Sequence, residues 1–455
     1  MPPRHAHKAF AYLSMAGDKS LDVYAIPEAE KYFRQALSLF EAQKSCSDQS
    51  SVAHVVVRLL ETLNNKSEFR QVDEAARKFM PFVDAGGETP ELVIGRSLQV
   101  SSLLRSRDIR GAHEFSLETL KIAERVGDIR ARAMASGNLI FMRSFLGPDL
   151  LDPAERMKTE LIDDCVRIGD SIILYWSYFS IAWDYLYRGL IVEAREVATR
   201  LVMSGEKRRD PRGIGYANLL LSYIDEICDD PVAAAAHAEE CIRVAVVPDE
   251  RRQAAMVKAV SGIFLGRVRE GLEEIAALNS EFERSGALMA MQSMFQGIGL
   301  AMLGQVSEGI RMIEKEIAQA DATGDQTRAA MSRIILAEVY IQILSGKEKP
   351  GVTVLFRNFW TITGVLIFGA SRAQTLLRQA AAVKKLSERG VIVARINYDL
   401  GVLSAMNRRS KEARAYFNRA RVGAECQGAE KLTRKIDVAL MELGSQAAPM
   451  ALLEL

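Results

Sequence analysis

The sequence predicts an all-α solenoid of about ten helical hairpins, and three observations support this fold class. The composition favours helices, because Pro is rare at 12 residues while Ala, Leu, Glu and Arg are frequent. Small residues recur about every 40 positions near the start of an apolar helical pattern. No stretch has the alternating pattern typical of a strand. A repeat sustained over most of the chain indicates stacked hairpins, each in contact only with its neighbours.

The clearest hairpin spans residues 397–426. Its first helix has Gly401 at a packing position, and its second has Ala413, Phe417 and Ala420 at helical spacing. The small residues allow the two helices to approach closely, and Phe417 fills the space between them. This pattern resembles the tetratricopeptide repeat, or TPR. The resemblance implies a right-handed superhelical solenoid whose concave side forms a groove.

The other hairpins follow from the same pattern. Hairpin one repeats it clearly, with Gly17 in its first helix and Ala29, Phe33 and Ala36 in its second. Units two and three are assigned mostly by spacing. The small residues that open the second helices are Ala29, Ala75, Ala112, Ala154, Ala194, Ala233, Gly271, Gly309, Ala373 and Ala413.

A Gly-Asp pair separates several units. Gly suits the left-handed residue that ends a helix, and the Asp side chain can cap the helix that follows. The same two residues thus end one helix and begin the next, so the hairpins should follow each other directly. The pairs are Gly127-Asp128, Gly169-Asp170 and Gly324-Asp325.

One gap between units is longer than the rest and predicts an insertion. Its apolar part, residues 352–370, is the most hydrophobic stretch of the chain. Arg357 and Asn358 interrupt it, which disfavours a transmembrane helix. Two interpretations stay open: packing against the solenoid or a partner, and contact with a membrane. The predicted organisation is repeats in 1–345, an extra loop at 147–153, the apolar insertion 346–370, final repeats and a capping helix in 371–443, and a flexible tail 444–455.

Aromatic residues concentrate in residues 175–187. If this is the first helix of its unit, Trp176, Phe179, Trp183 and Tyr187 form a stripe on the face that lines the groove. Four exposed rings would form an unusually large apolar patch for a monomer. The stripe is therefore either covered by the curve of the array or a binding surface for a partner peptide.

Composition and residue spacing disfavour several other functions. The net charge of +1 disfavours nucleic acid as the main partner. The five cysteines form no CxxC, and we expect reduced core thiols in a cytoplasmic protein. His5 and His7 form an HxH pair, but two residues apart on a helix they would face different ways, and the other three histidines have no neighbours at metal-ligand spacing. The sequence thus predicts neither a metal nor a cofactor and no catalytic residues, so we expect a non-enzymatic protein.

Two stretches carry a more specific resemblance. Residues 16–41 and residues 337–421 resemble the C-terminal TPR region of bacterial multidomain class III adenylate/guanylate cyclases. In that family a cyclase catalytic domain and a STAND-type ATPase domain precede the helical array. The sequence contains no GxxxxGK[ST] phosphate loop and no paired aspartates of a cyclase core. The family's catalytic residues therefore have no matching positions here.

Two functions remain open on the sequence. The first is a protein–protein interaction scaffold that binds a peptide or partner domain in the groove. The second is a signal-sensing region of an adenylate cyclase-like or STAND-type transcription regulator, as a fragment or a stand-alone relative. The sequence gives no indication of the oligomeric state.

Overall fold

A computed structural model describes residues 3–44, 47–105, 108–146, 154–286, 292–346, 354 and 357–447. The described residues form α-helices and no strand, which confirms the predicted fold class. The helices are α1 (Pro3–Asp22), α2 (Ile26–Ala42), α3 (Gln49–Asn65), α4 (Phe69–Asp84), α5 (Pro90–Arg105), α6 (Ile109–Val126), α7 (Ile129–Arg143), α8 (Ala154–Ile168), α9 (Ser171–Tyr187), α10 (Ile191–Arg208), α11 (Pro211–Ile227), α12 (Pro231–Val244), α13 (Pro248–Phe264), α14 (Val268–Ser285), α15 (Gln292–Met302), α16 (Val306–Thr323), α17 (Gln326–Ser345), α18 (Phe359–Ala381), α19 (Val391–Met406), α20 (Ser410–Cys426) and α21 (Glu430–Ala447).

These helices pair as ten TPR-like hairpins, from α1 with α2 to α19 with α20, and α21 packs on the last hairpin. Every small residue that was expected to open a second helix lies in a second helix, and eight of the ten lie in its first turn. The expectation is wrong for Ala75, the seventh residue of α4, and for Ala373, the fifteenth residue of α18, because both helices begin earlier than predicted. In hairpin six the buried small residue is Ala234 and not the predicted Ala233, which is only half-buried. The predicted number of hairpins is thus confirmed for the described part of the chain.

Close helix contact inside a hairpin depends on a glycine opposite a phenylalanine. A Cβ atom on Gly401 would lie 2.6 Å from the ring of Phe417. In hairpin one, a Cβ on Gly17 would lie 2.4 Å from the ring of Phe33. No side chain larger than hydrogen fits at either glycine without displacing the ring. The first and last hairpins therefore pack in the same way, as their sequences predicted.

The Gly-Asp pairs end and begin helices as predicted. Gly127 follows α6 with a φ of +72°, in the left-handed region. Asp128 then caps α7, since its carboxylate accepts a hydrogen bond from the N–H of Ala131 at 2.8 Å. The other two pairs have the same geometry before α9 and α17.

The solenoid makes contact with itself every five hairpins. The N–H of Val391, at the start of hairpin ten, donates to the carbonyl of Gly189 in the turn of hairpin five at 2.9 Å. The N–H of Gln326 in hairpin nine likewise donates to the carbonyl of Phe145, which follows α7 of hairpin four, at 3.1 Å. Successive superhelical turns therefore touch, and they enclose the space between the first helices.

The predicted insertion is not a separate unit where the structure describes it. Helix α18 runs through the expected boundary at residue 370 and pairs with α17 as the second helix of hairpin nine. Its N-terminal half is apolar but exposed, with Trp360 84% and Ile367 65% accessible. No described helix is both long enough and apolar enough to span a membrane.

Three other predicted segments fall partly or wholly outside the described residues. These are the loop at 147–153, the start of the insertion at 347–353 with 355–356, and most of the tail. The described start of the tail, residues 444–447, continues α21 as helix. The expected tail boundary at 444 is therefore too early.

Candidate functional site

The first helices of all ten hairpins line a cavity of about 570 Å³ inside the superhelix. This volume lies within the range of about 300–1,000 Å³ that is usual for ligand pockets. Because the superhelical turns touch, the cavity brings together residues that are far apart in the chain, such as Arg58 of α3 and Arg395 of α19. The concave side expected from the sequence is therefore a partly enclosed cavity.

All four predicted residues of the aromatic stripe line this cavity. Their rings follow one another along α9, with centroids 5.7 Å apart for Trp176 and Phe179, 5.4 Å for Phe179 and Trp183, and 5.0 Å for Trp183 and Tyr187. Three of them are buried and Trp176 is half-buried. The curve of the array thus covers most of the aromatic stripe. Because the stripe also lines the cavity wall, binding of a partner to it stays a prediction.

Neighbouring helices hold these rings in place. The indole Nε1–H of Trp176 donates to Oδ1 of Asn138 at 2.9 Å, and the Asn138 amide donates to the carbonyl of Ser97 at 2.7 Å. Tyr223 of α11 packs edge-on against Trp183 at 4.9 Å. The aromatic surface is therefore rigid before any partner binds, which lowers the entropy lost on binding.

Five arginines line the cavity, and sequence reasoning missed all of them. Each lies beside at least one acidic side chain, at 4.0 Å or less, in most cases across two helices. Such pairs give a cavity wall that is polar but nearly neutral. They are Arg58 with Asp18 and Glu61, Arg130 with Glu61 and Asp170, Arg212 with Asp210, Arg328 with Glu316 and Asp325, and Arg395 with Glu338.

Glu226, at the end of α11, differs from these pairs. It lines the cavity and is half-buried, yet its carboxylate makes no hydrogen bond or ion pair with any described residue. Burial raises its pKa to about 8, although the charge of Arg395 opposes the shift. Burial also raises the pKa of Glu250, on the same wall, to about 8, with Tyr216 opposing. No pattern in the sequence distinguishes either residue from the other glutamates.

The residues considered for metal or thiol chemistry lie elsewhere. Within the described ranges, no group of three or more His, Cys, Asp or Glu side chains is arranged to hold a metal ion. His54 and His237 each contact a single aspartate. Burial raises the pKa of the Cys165 and Cys241 thiols to about 11 and about 12. Cys426 is exposed, so the expectation of a core position is wrong there.

The fold and the cavity define a TPR-like helical-repeat protein. No family model matches the chain, and no curated protein matches it. Among solved structures it is similar to the Rap protein complexed with competence and sporulation factor, with a TM-score of 0.46 and 11% identity over 79% of this chain and 99% of that chain. It is also similar to yeast Tom70, with a TM-score of 0.35 and 10% identity over 97% and 98%.

A third similar structure is the APC/C hetero-tetramer Cut9–Hcn1, with a TM-score of 0.25 and 9% identity over 94% of this chain and 96% of that chain. At these identities the likeness concerns the helical-repeat fold alone. None of these structures bears on the resemblance to cyclase-linked arrays, which stays a prediction.

Proposed function

We propose that the chain is a protein-interaction scaffold that holds a short peptide segment of a partner inside the cavity. The observation that carries this proposal is the aromatic wall formed by the stripe of α9, which neighbouring helices hold in place in a partly enclosed cavity of ligand size. Large rings fixed on a concave surface are the anchors that peptide-binding sites use.

The cavity also offers groups that a peptide backbone needs. Each peptide unit carries an N–H donor and a carbonyl acceptor, and both require partners once water is excluded. Asn64 and Asn65 of α3 line the cavity and are half-buried. Their carboxamides make no side-chain hydrogen bond with the described residues. A carboxamide can donate and accept at once, so these two side chains suit an extended peptide.

A selection from a displayed random-hexapeptide library tests the proposal. The wild-type chain should enrich a defined set of peptides. Trp176→Ala should bind the same synthetic peptides at least about tenfold more weakly, because an aromatic anchor commonly contributes 1–2 kcal/mol or more. Trp360→Ala is the matched control, since Trp360 is exposed and does not line the cavity. Its affinity should equal that of the wild type.

A second variant guards against misfolding of the first. Asn64→Ala removes a cavity carboxamide without breaking a described contact, so its thermal midpoint should be unchanged while peptide affinity falls. The proposal is wrong if no peptide is enriched. It is also wrong if folded Trp176→Ala and Asn64→Ala both bind the selected peptides as tightly as the wild type.

A further inference from the structure

We propose that the cavity selects a basic side chain, Lys or Arg, in the bound peptide, and that the carboxylate of Glu226 is its acceptor. The inference rests on the proposed function and adds the chemistry of the partner. Three features of the cavity support it: a carboxylate without a cation of its own, the aromatic rings that line the same wall, and the burial of that carboxylate.

The first feature is the balance of charge. The five arginines of the wall already have acidic neighbours within 4.0 Å, as described above. The cation whose charge acts on Glu226 is Arg395. Two of its guanidinium nitrogens donate hydrogen bonds to the carboxylate of Glu338 on α17. Glu226 is therefore an acidic group in the cavity whose carboxylate has no cation of its own among the described residues. A positively charged ligand group beside Glu226 would favour its ionised form and form an ion pair with it.

The second feature is the aromatic surroundings. Tyr223 lies three residues before Glu226 on α11 and so on the same face of the helix. Its ring packs edge-on against Trp183, which in turn packs against Tyr187 at 5.0 Å. Aromatic faces attract ammonium and guanidinium groups and also cover the apolar stem of Lys or Arg. A carboxylate next to such rings matches both ends of a long basic side chain.

The third feature is the burial of the Glu226 carboxylate. Burial disfavours the ionised form of Glu226, and its raised pKa reflects this. A cation in hydrogen-bond contact would favour the ionised form of Glu226 again. Ligand binding would therefore offset the unfavourable burial of this carboxylate. A metal ion is a poorer match, because no second and third His, Cys, Asp or Glu ligand converges here among the described residues.

The test repeats the hexapeptide selection with Glu226→Gln and with Glu273→Gln as its matched control. Gln keeps the size of the side chain and mimics its neutral form, so folding should be retained. Glu273 is exposed on α14, away from the cavity. Wild type and Glu273→Gln should enrich Lys or Arg at one fixed position, and Glu226→Gln should lose that preference.

The selected peptide is then synthesised with acetylated and amidated ends, together with a version in which norleucine replaces the basic residue. Removal of the peptide's positive charge should weaken binding to the wild type at least about tenfold and to Glu226→Gln less than about twofold. The difference measures the interaction between the basic side chain and Glu226. Equal losses for both proteins would overturn the assignment of Glu226.

The other outcomes separate this inference from the proposed function. Enriched peptides without a preferred basic position would overturn the inference and leave the scaffold proposal intact. A library that yields no peptide would overturn both. If 1,5-diaminopentane alone binds the wild type as tightly as the selected peptide, the ligand is a small cation and the peptide assignment is wrong.

Discussion

The hydroxyl oxygen of Ser67 accepts a hydrogen bond from the backbone N–H of Asp249 at 2.9 Å, although the two residues are 182 positions apart. Helix α13 follows Val247, which makes no side-chain capping hydrogen bond. The turn of hairpin two therefore caps a helix of hairpin seven. Ser67 is fully buried, so water cannot take its place. This contact joins two superhelical turns and closes part of the cavity.

Ser67→Ala should lower the free energy of unfolding by about 1 kcal/mol, the usual effect of removing a capping hydroxyl. Amide hydrogen exchange should become faster in the first turn of α13, around residues 249–252. Ser67→Gly is an informative control, because Ser67 has a φ of +60° that glycine adopts without strain. It should lose the same exchange protection with a smaller loss of stability. Unchanged exchange in Ser67→Ala would show that the cap contributes nothing.

Gln427 caps α10 in the same way from the end of hairpin ten. Its Oε1 accepts hydrogen bonds from the N–H groups of Ile191 at 2.6 Å and Val192 at 3.1 Å, and the side chain is buried. Gln427→Ala leaves two N–H groups without their acceptor, so the free energy of unfolding should fall by about 2 kcal/mol or more in a urea titration.

Gln427→Glu is the conservative variant at this position. A carboxylate keeps both acceptor bonds and places a negative charge at the N-terminus of α10, which the helix dipole favours. It should restore most of the stability lost in the alanine variant. Equal losses in both variants would contradict capping and indicate a packing role.

Asp184 of α9 is a buried carboxylate between two lysines, 2.8 Å from Lys158 and 2.9 Å from Lys385. Burial alone raises its pKa, but the two lysines outweigh burial and lower the pKa to about 2, from an ordinary 3.8. A lowered folded-state pKa stabilises the protein above about pH 4, and this stabilisation is lost as the pH falls through about 2. The contribution is about 2 kcal/mol.

Asp184→Asn should therefore lower the free energy of unfolding by about 3–5 kcal/mol at pH 7, since it leaves buried lysine charges unbalanced. The difference from the wild type should shrink between pH 4 and pH 2 in thermal melts. Asp163→Asn, at an exposed position on α8, should change neither value. A difference that stays constant with pH would mean that Asp184 acts through packing.

The affinity for an Arg-containing peptide should rise with pH. With a pKa of about 8, Glu226 is about one-tenth ionised at pH 7 and about nine-tenths ionised at pH 9, so the affinity should increase about tenfold. Tyr187 and Arg395 keep their charge over this range, because burial raises the pKa of Tyr187 and Glu338 outweighs burial to raise that of Arg395. Glu250 on the same wall also has a pKa of about 8, so the Glu226→Gln variant, which keeps Glu250, measures the share of Glu250 separately.

Isothermal titration at pH 7, 8 and 9 measures this dependence. Glu226→Gln should bind with nearly constant affinity, and the norleucine version of the peptide should show no pH dependence with either protein. An affinity that falls as the pH rises would rule out Glu226 as the acceptor.

The hairpins could be predicted because the contacts that form them are local. Gly401 and Phe417 meet across a single short turn, and Asp128 caps the helix that it begins. Periodicity therefore located the second helices and placed the aromatic stripe on the concave side. The boundary at residue 370 was wrong, because an apolar run was taken for a separate segment although α18 continues through it with the same helical period.

The sequence by itself determined the helices, their pairing and the face that carries the stripe, since each depends on residues within one repeat. Only the tertiary structure decided that five hairpins complete a superhelical turn and that Ser67 meets Asp249. Small rotations between neighbouring hairpins accumulate over a full turn, and no pattern within one repeat encodes their sum. The same closure determines which charges in the cavity are paired and leaves Glu226 without a cation of its own among the described residues.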